Sequence, residues 1–136
     1  MGNINGNLRV GIIGAGVVSE AHLGALKKIP KAEIAGIADP DEDARLRQSR
    51  EFGIKRTEAD YKRLLDDKEI DLVYLCVPHY LHCKMAQDAF KFGKHVVCEK
   101  PLAMNAKEAE KMLKASQDAK KRLFIAENHR FMPENI

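Results

Sequence analysis

A glycine turn, one isolated acid and three polar strand ends hold the residues of this chain with the most chemistry in them. The turn is Gly14-Ala15-Gly16-Val17-Val18-Ser19, set between an apolar run and a helix-like stretch. In such a loop the first glycine permits a tight turn and the second lets a pyrophosphate approach the backbone. A small third residue, here Ser19, lets the helix pack on its strand. The anion would rest on the amides of Val17 and Val18, at the helix N-terminus. Asp39 follows about twenty residues further on, where an acid can accept a ribose hydroxyl. Its charge would repel a 2′-phosphate, so NAD is favoured over NADP as cofactor. Arg45 or Arg47 could still reach such a phosphate, which keeps NADP open. S-adenosylmethionine competes for the same turn geometry.

The polar strand ends are Val77-Pro78-His79 with His82 one helical turn on, Glu99-Lys100-Pro101, and Glu127-Asn128-His129-Arg130. Each follows a short apolar run. In an open α/β sheet, ligands bind beyond the carboxyl ends of the strands, so these groups would converge on one edge. A lysine amine placed at such an edge can hold, donate or accept a proton. Lys100 ends a buried run, and Pro101 restricts the backbone just after it.

The elements that must position these groups alternate along the chain. Strands are expected at Leu8–Ile13, Ala32–Ala38, 54–56, 72–77, 95–98 and Leu123–Ala126. The run 72–77 is apolar throughout, as for a strand covered on both faces. Between them lie helical patterns. The first places Val18, Ala21, Ala25 and Ile29 on one face and stops at Pro30. His22, on that helix, reads as packing. The second covers 41–52 with Gly53 as C-terminal cap, and a short one covers 59–65. The fourth has Leu81, Met85, Ala89 and Phe92 on one side and ends at Gly93. The last opens with Asn105 as N-cap and Glu108 as its partner and runs to about Lys120. This order predicts an α/β fold: a doubly wound, six-stranded, mostly parallel sheet with helices on both faces.

At 136 residues the chain is one domain with room for a core. With 45% hydrophobic and 32% charged residues it has the composition of a globular protein. The formal charge of +3 is small, and no basic stripe interleaved with aromatics suggests a nucleic-acid partner. Three cysteines without a CxxC pair argue against zinc or a disulfide framework and fit a reducing cytoplasm. No apolar run approaches a membrane span.

Residues Gly14, Gly16, His22 and Asp39, the segment Val77-Pro78-x-x-x-His82, the run from Gly93 to Met112 (GKHVVCEKPLAMNAKEAEKM), and Asn128, Arg130, Phe131 and Pro133 together resemble the N-terminal half of the Gfo/Idh/MocA oxidoreductases. The Glu99-Lys100-Pro101 block carries most of that specificity. The resemblance implies a Rossmann domain over 1–136 that binds NAD(P) and belongs to an oxidoreductase acting on a sugar, cyclitol or related polyhydroxy compound. It implies Lys100 as the lysine facing the reacting carbon and Glu99 near the nicotinamide ribose. Val77 and Pro78 would line the nicotinamide channel, His82 would support that loop, and Asn128 would join the cofactor site. The family's second domain, with the substrate pocket and the usual homo-oligomer interface, lies outside this sequence, so the chain is expected to bind cofactor without turnover. A free-standing nucleotide sensor is the alternative.

Overall fold

The structure, a computed structural model, describes residues 6–126. Strands β1 (Leu8–Ile13), β2 (Ala32–Ala38), β3 (Thr57–Glu58), β4 (Leu72–Leu75), β5 (His95–Glu99) and β6 (Leu123–Ala126) form one sheet in the order β3-β2-β1-β4-β5-β6. Every pairing is parallel. Helices α1 (Val17–Lys27), α2 (Glu42–Phe52), α3 (Tyr61–Leu65), α4 (His82–Lys91) and α5 (Ala106–Ala119) make the crossovers, and a 3-10 turn at His79–Leu81 leads into α4. This is the expected doubly wound architecture.

Successive strand side chains point to opposite faces, and both faces are covered. Ile12 and Leu72 face the layer of α1 and α2, with Leu23, Leu26 and Ala44. Ile13, Val73 and Leu75 face the other layer, with Leu64 of α3, Ala86 and Phe90 of α4 and Met112 of α5. Two-sided burial is why 72–75 is apolar at every position; the strand stops at Leu75, short of the expected 77, and Cys76 and Val77 lie in the exit beyond it.

The helix ends follow local chemistry. Asp41 caps α2 through Ala44 N (3.2 Å), and Gly53 closes it in the left-handed region at φ 67°. Asn105 caps α5 by accepting from Glu108 N (2.9 Å). Glu108 reaches back one residue further than expected, to Met104 N (3.0 Å).

Three expectations need correction. The buried side of α1 is Ser19, Leu23 and Leu26, whereas Val18, Ala21, Ala25 and Ile29 are exposed. Alanines fit either face of a helix, so they carried the apolar periodicity onto the wrong one. The third strand is Thr57–Glu58 rather than 54–56, because its partner residues Ile37 and Ala38 lie at the very end of β2. In α4 the core is reached by Cys83, Ala86, Ala89 and Phe90, while Phe92 lies beyond the helix and is exposed.

Candidate functional site

The strand order reverses between β1 and β4, and the crevice of a doubly wound sheet opens where it does. There β1 runs into Gly14 at φ +104°, and a Cβ at Gly14 would stand 2.1 Å from the Cys76 carbonyl oxygen. The turn is stitched to both neighbouring strands: Gly14 N donates to Ala38 O (2.8 Å) and Cys76 N donates to Ile13 O (2.7 Å). Gly16 differs. Its backbone is extended (φ −77°, ψ −173°), and a Cβ there would meet nothing within 4 Å. It precedes α1, which has no side-chain cap. Val17 and Val18 are 77% and 52% exposed, so an anion has an open path to the first-turn amides. Ser19 is buried, and its hydroxyl donates to Gly16 O (2.6 Å).

Asp39, just past β2, faces this turn. Its Oδ2 accepts from Ala15 N and its Oδ1 from Asp41 N, both at 2.8 Å. The Arg45 guanidinium donates through Nη1 to the Asp39 carbonyl (3.1 Å); Arg47 is exposed and lines a separate pocket between α1 and α2. A cleft of about 500 Å³ opens beside Asp39, walled by Gly14, Pro40, Tyr61, Tyr80 and Met85. Tyr61 is anchored from behind, its hydroxyl donating to Asp88 Oδ2 (2.6 Å). Burial and then that carboxylate raise its pKa, so it stays a neutral phenol.

A second cleft, about 290 Å³, lies between Gly16, Val17 and Val18 on one side and Cys76, Glu99 and Lys100 on the other. Val77 and Pro78 line both clefts, which therefore adjoin. Lys100 is exposed, one residue beyond β5, and its peptide to Pro101 is cis. Glu99 pairs with His22 Nε2, and the His22 ring meets Tyr74 edge-on at 5.1 Å. His22 thus packs, as expected, but also holds the acid next to Lys100. His82 is 1% exposed. Its Nδ1 lies 2.9 Å from Pro101 O and its Nε2 lies 2.9 Å from Val77 O, so the ring ties the exit of β4 to the exit of β5. Burial first, then Glu99 and Cys98, push the Cys76 thiol up to about 12, so it sits in the cleft as a neutral thiol. The deeply buried lysine is not Lys100 but Lys94, at the other end of the sheet. Its amine donates to Asp67 O (2.5 Å) and Ile70 O (2.8 Å), and burial lowers its pKa.

The structure thus brings Gly14, Gly16, Val17, Val18, Asp39, Val77, Pro78, Glu99 and Lys100 around one trough, with His82 beneath it. Asn128 lies outside the described residues. Two features escaped the sequence. The His22–Glu99 pair joins positions far apart in the chain, and nothing local announces it. Gln48 is buried in the largely charged α2, its Nε2 donating to Ala15 O (3.2 Å). Its place four residues after buried Ala44 was the available signal.

Comparison with known proteins agrees with this geometry. The sequence model of the Gfo/Idh/MocA oxidoreductase family, NAD-binding Rossmann fold, matches residues 8–127. Levoglucosan dehydrogenase of Pseudarthrobacter phenanthrenivorans is 32% identical over 93% of this chain, and myo-inositol 2-dehydrogenase of Thermotoga maritima is 34% identical over 91%. The chain spans 35% and 37% of their lengths. The WlbA dehydrogenase of Bordetella pertussis, solved with NADH and UDP-GlcNAcA, superposes with a TM-score of 0.90 at 29% identity, covering 95% of this chain and 39% of that one. The match covers almost every described residue, the glycine turn, Asp39 and the exit of β5 among them, and the chain belongs to the Gfo/Idh/MocA oxidoreductase family with its NAD-binding Rossmann fold.

Proposed function

We propose that this chain binds NAD(H) in the trough between Asp39 and Lys100, as the cofactor-binding part of an oxidoreductase for a sugar, cyclitol or related polyhydroxy compound. The adjoining clefts are the observation that carries this reading. They lead from an acid, past open helix N-terminal amides, to a lysine. The adenosine end would lie beside Asp39, with the pyrophosphate over Gly16. Glu99, Val77 and Pro78 would border the nicotinamide, which when bound supplies hydride chemistry. The relatives named for levoglucosan and myo-inositol support the substrate class.

Cofactor choice follows from charge. The Asp39 carboxylate, held in place by two amides, would face a 2′-phosphate directly, and the Arg45 guanidinium is engaged by the Asp39 carbonyl. Titration with NADH and NADPH, followed by cofactor fluorescence, should show NADH bound at least tenfold more tightly. A unit charge at this range is worth a kcal/mol or more, and about 1.4 kcal/mol is tenfold. Asp39→Asn should bring the ratio toward one. Equal affinities in the parent chain would remove Asp39 as selector.

Lys100 is proposed to hold or accept the alcohol proton as hydride leaves. Its exposure leaves the amine in water, so turnover should need further protein to enclose it. One absorbance assay covers both points: this chain alone should form no NADH from NAD and myo-inositol, and a longer protein that does should lose that activity on Lys100→Met. Turnover by the chain alone, or by the Met variant, would sink the corresponding half of the proposal.

A further inference from the structure

We infer that Gln48 is a positioning residue for the glycine loop, setting the Ala15 peptide from behind and, through it, the amides that face a dinucleotide pyrophosphate. The inference rests on the dinucleotide reading and adds to it a residue outside the trough.

Ala15 lies between two glycines, so the loop's own sequence does little to define its backbone. Its two polar groups are instead held by side chains from two other elements. Asp39 Oδ2 takes the Ala15 N–H at 2.8 Å. Gln48 Nε2 gives a hydrogen bond to the Ala15 carbonyl at 3.2 Å and another to Glu20 Oε1, in the first turn of α1, at 3.1 Å. Both groups within reach of Nε2 are acceptors, which decides the orientation of the amide. One side chain thereby links α2, the loop and the start of α1, the three pieces whose relation sets where the Gly16–Val18 amides point.

The fold alone does not ask for glutamine here. Gln48 is fully buried beside the cluster that contains Ala15, Leu23, Leu26 and Ala44. Its Oε1 is buried with no hydrogen-bond partner among the described residues. A buried unpaired carbonyl is destabilising, and an apolar side chain of similar volume would avoid it. The hydrogen bonds to Ala15 and Glu20 offset that penalty, and both are made at the glycine loop and the helix it opens.

Gln48→Met, with Gln48→Leu as a second volume-matched variant, tests this in the present chain. Both should stay folded and melt only a few degrees below the parent, since the Ala15 carbonyl loses its side-chain donor while the unpaired Oε1 is removed with it. Both should bind NADH and ADP, which share the pyrophosphate, about five- to tenfold more weakly, the scale of one modest hydrogen bond. Hydrogen exchange at the Ala15 amide in the free protein should quicken by a similar factor, a change that packing alone would not produce. Unchanged affinity and exchange in a folded variant would overturn the inference and leave the dinucleotide reading intact. So would unfolding of both variants, since glutamine would then be serving the fold. A parent chain that binds neither NADH nor ADP would take down the dinucleotide reading, and this inference with it.

Discussion

Gly14→Ala should strip the domain of a large part of its stability. Position 14 combines a φ of +104° with a Cβ site 2.1 Å from the Cys76 carbonyl oxygen and 2.6 Å from its carbon. Both obstacles are backbone, so no rotamer change relieves them. The methyl group would have to push β1 and β4 apart at the centre of the sheet, where Cys76 N donates to Ile13 O. A clash of this kind, with a positive φ added, costs about 4 kcal/mol or more. A domain of this size has about 5–15 kcal/mol in all. Thermal and denaturant melts by circular dichroism measure the loss directly. A variant that unfolds within about 1 kcal/mol of the parent would mean that the turn can rearrange, and that Gly14 is not needed for the sheet.

Gly16→Val should do the reverse: spare the fold and abolish dinucleotide binding. The backbone at 16 is already extended, and a side chain there enters open space. Any L-residue can take that conformation. Loss of a glycine trims the entropy of the unfolded chain, while valine is a poorer N-cap than glycine for α1, so stability should stay within about 1 kcal/mol of the parent. The open space is the path by which a pyrophosphate would reach the Val17 and Val18 amides, and two methyl groups would stand in it. Affinity for NADH should fall at least about a hundredfold, roughly 2.7 kcal/mol, as read by cofactor fluorescence on a variant with a parent-like melt. Retained binding would move the pyrophosphate away from Gly16 and remove the centre of the proposed site. Two glycines of one loop are thus separable, one required by the sheet and the other by the ligand.

Much of this was legible in the chain because its causes are local. Leu8–Ile13, Ala32–Ala38 and Leu123–Ala126 are short apolar runs between turn residues, and the structure has strands at those bounds. Asn105 and Gly53 announce helix ends through their own chemistry, one as an acceptor for a free amide and one by tolerating positive φ. The faces of α1 and α4 were harder. Valine, alanine and phenylalanine near a helix end look like core, yet Val17 and Val18 border the open trough and Phe92 falls past the last turn. The two-residue β3 has no pattern of its own and exists because β2 offers Ile37 and Ala38 as partners.

The fold class and the positions of the glycine turn, Asp39 and the Glu-Lys-Pro exit can be read from the chain, and the motifs together carry the family resemblance. Each rests on neighbouring residues or on a spacing that one crossover sets. What those residues touch follows from the folded arrangement. It set Gly14 against the Cys76 carbonyl, Asp39 against the Ala15 amide and Gln48 against the Ala15 carbonyl. It paired His22 with Glu99 and spanned the exits of β4 and β5 with the His82 ring. Such contacts join elements that only the order β3-β2-β1-β4-β5-β6 makes adjacent. Their partners lie far apart in the chain, so no local pattern encodes them.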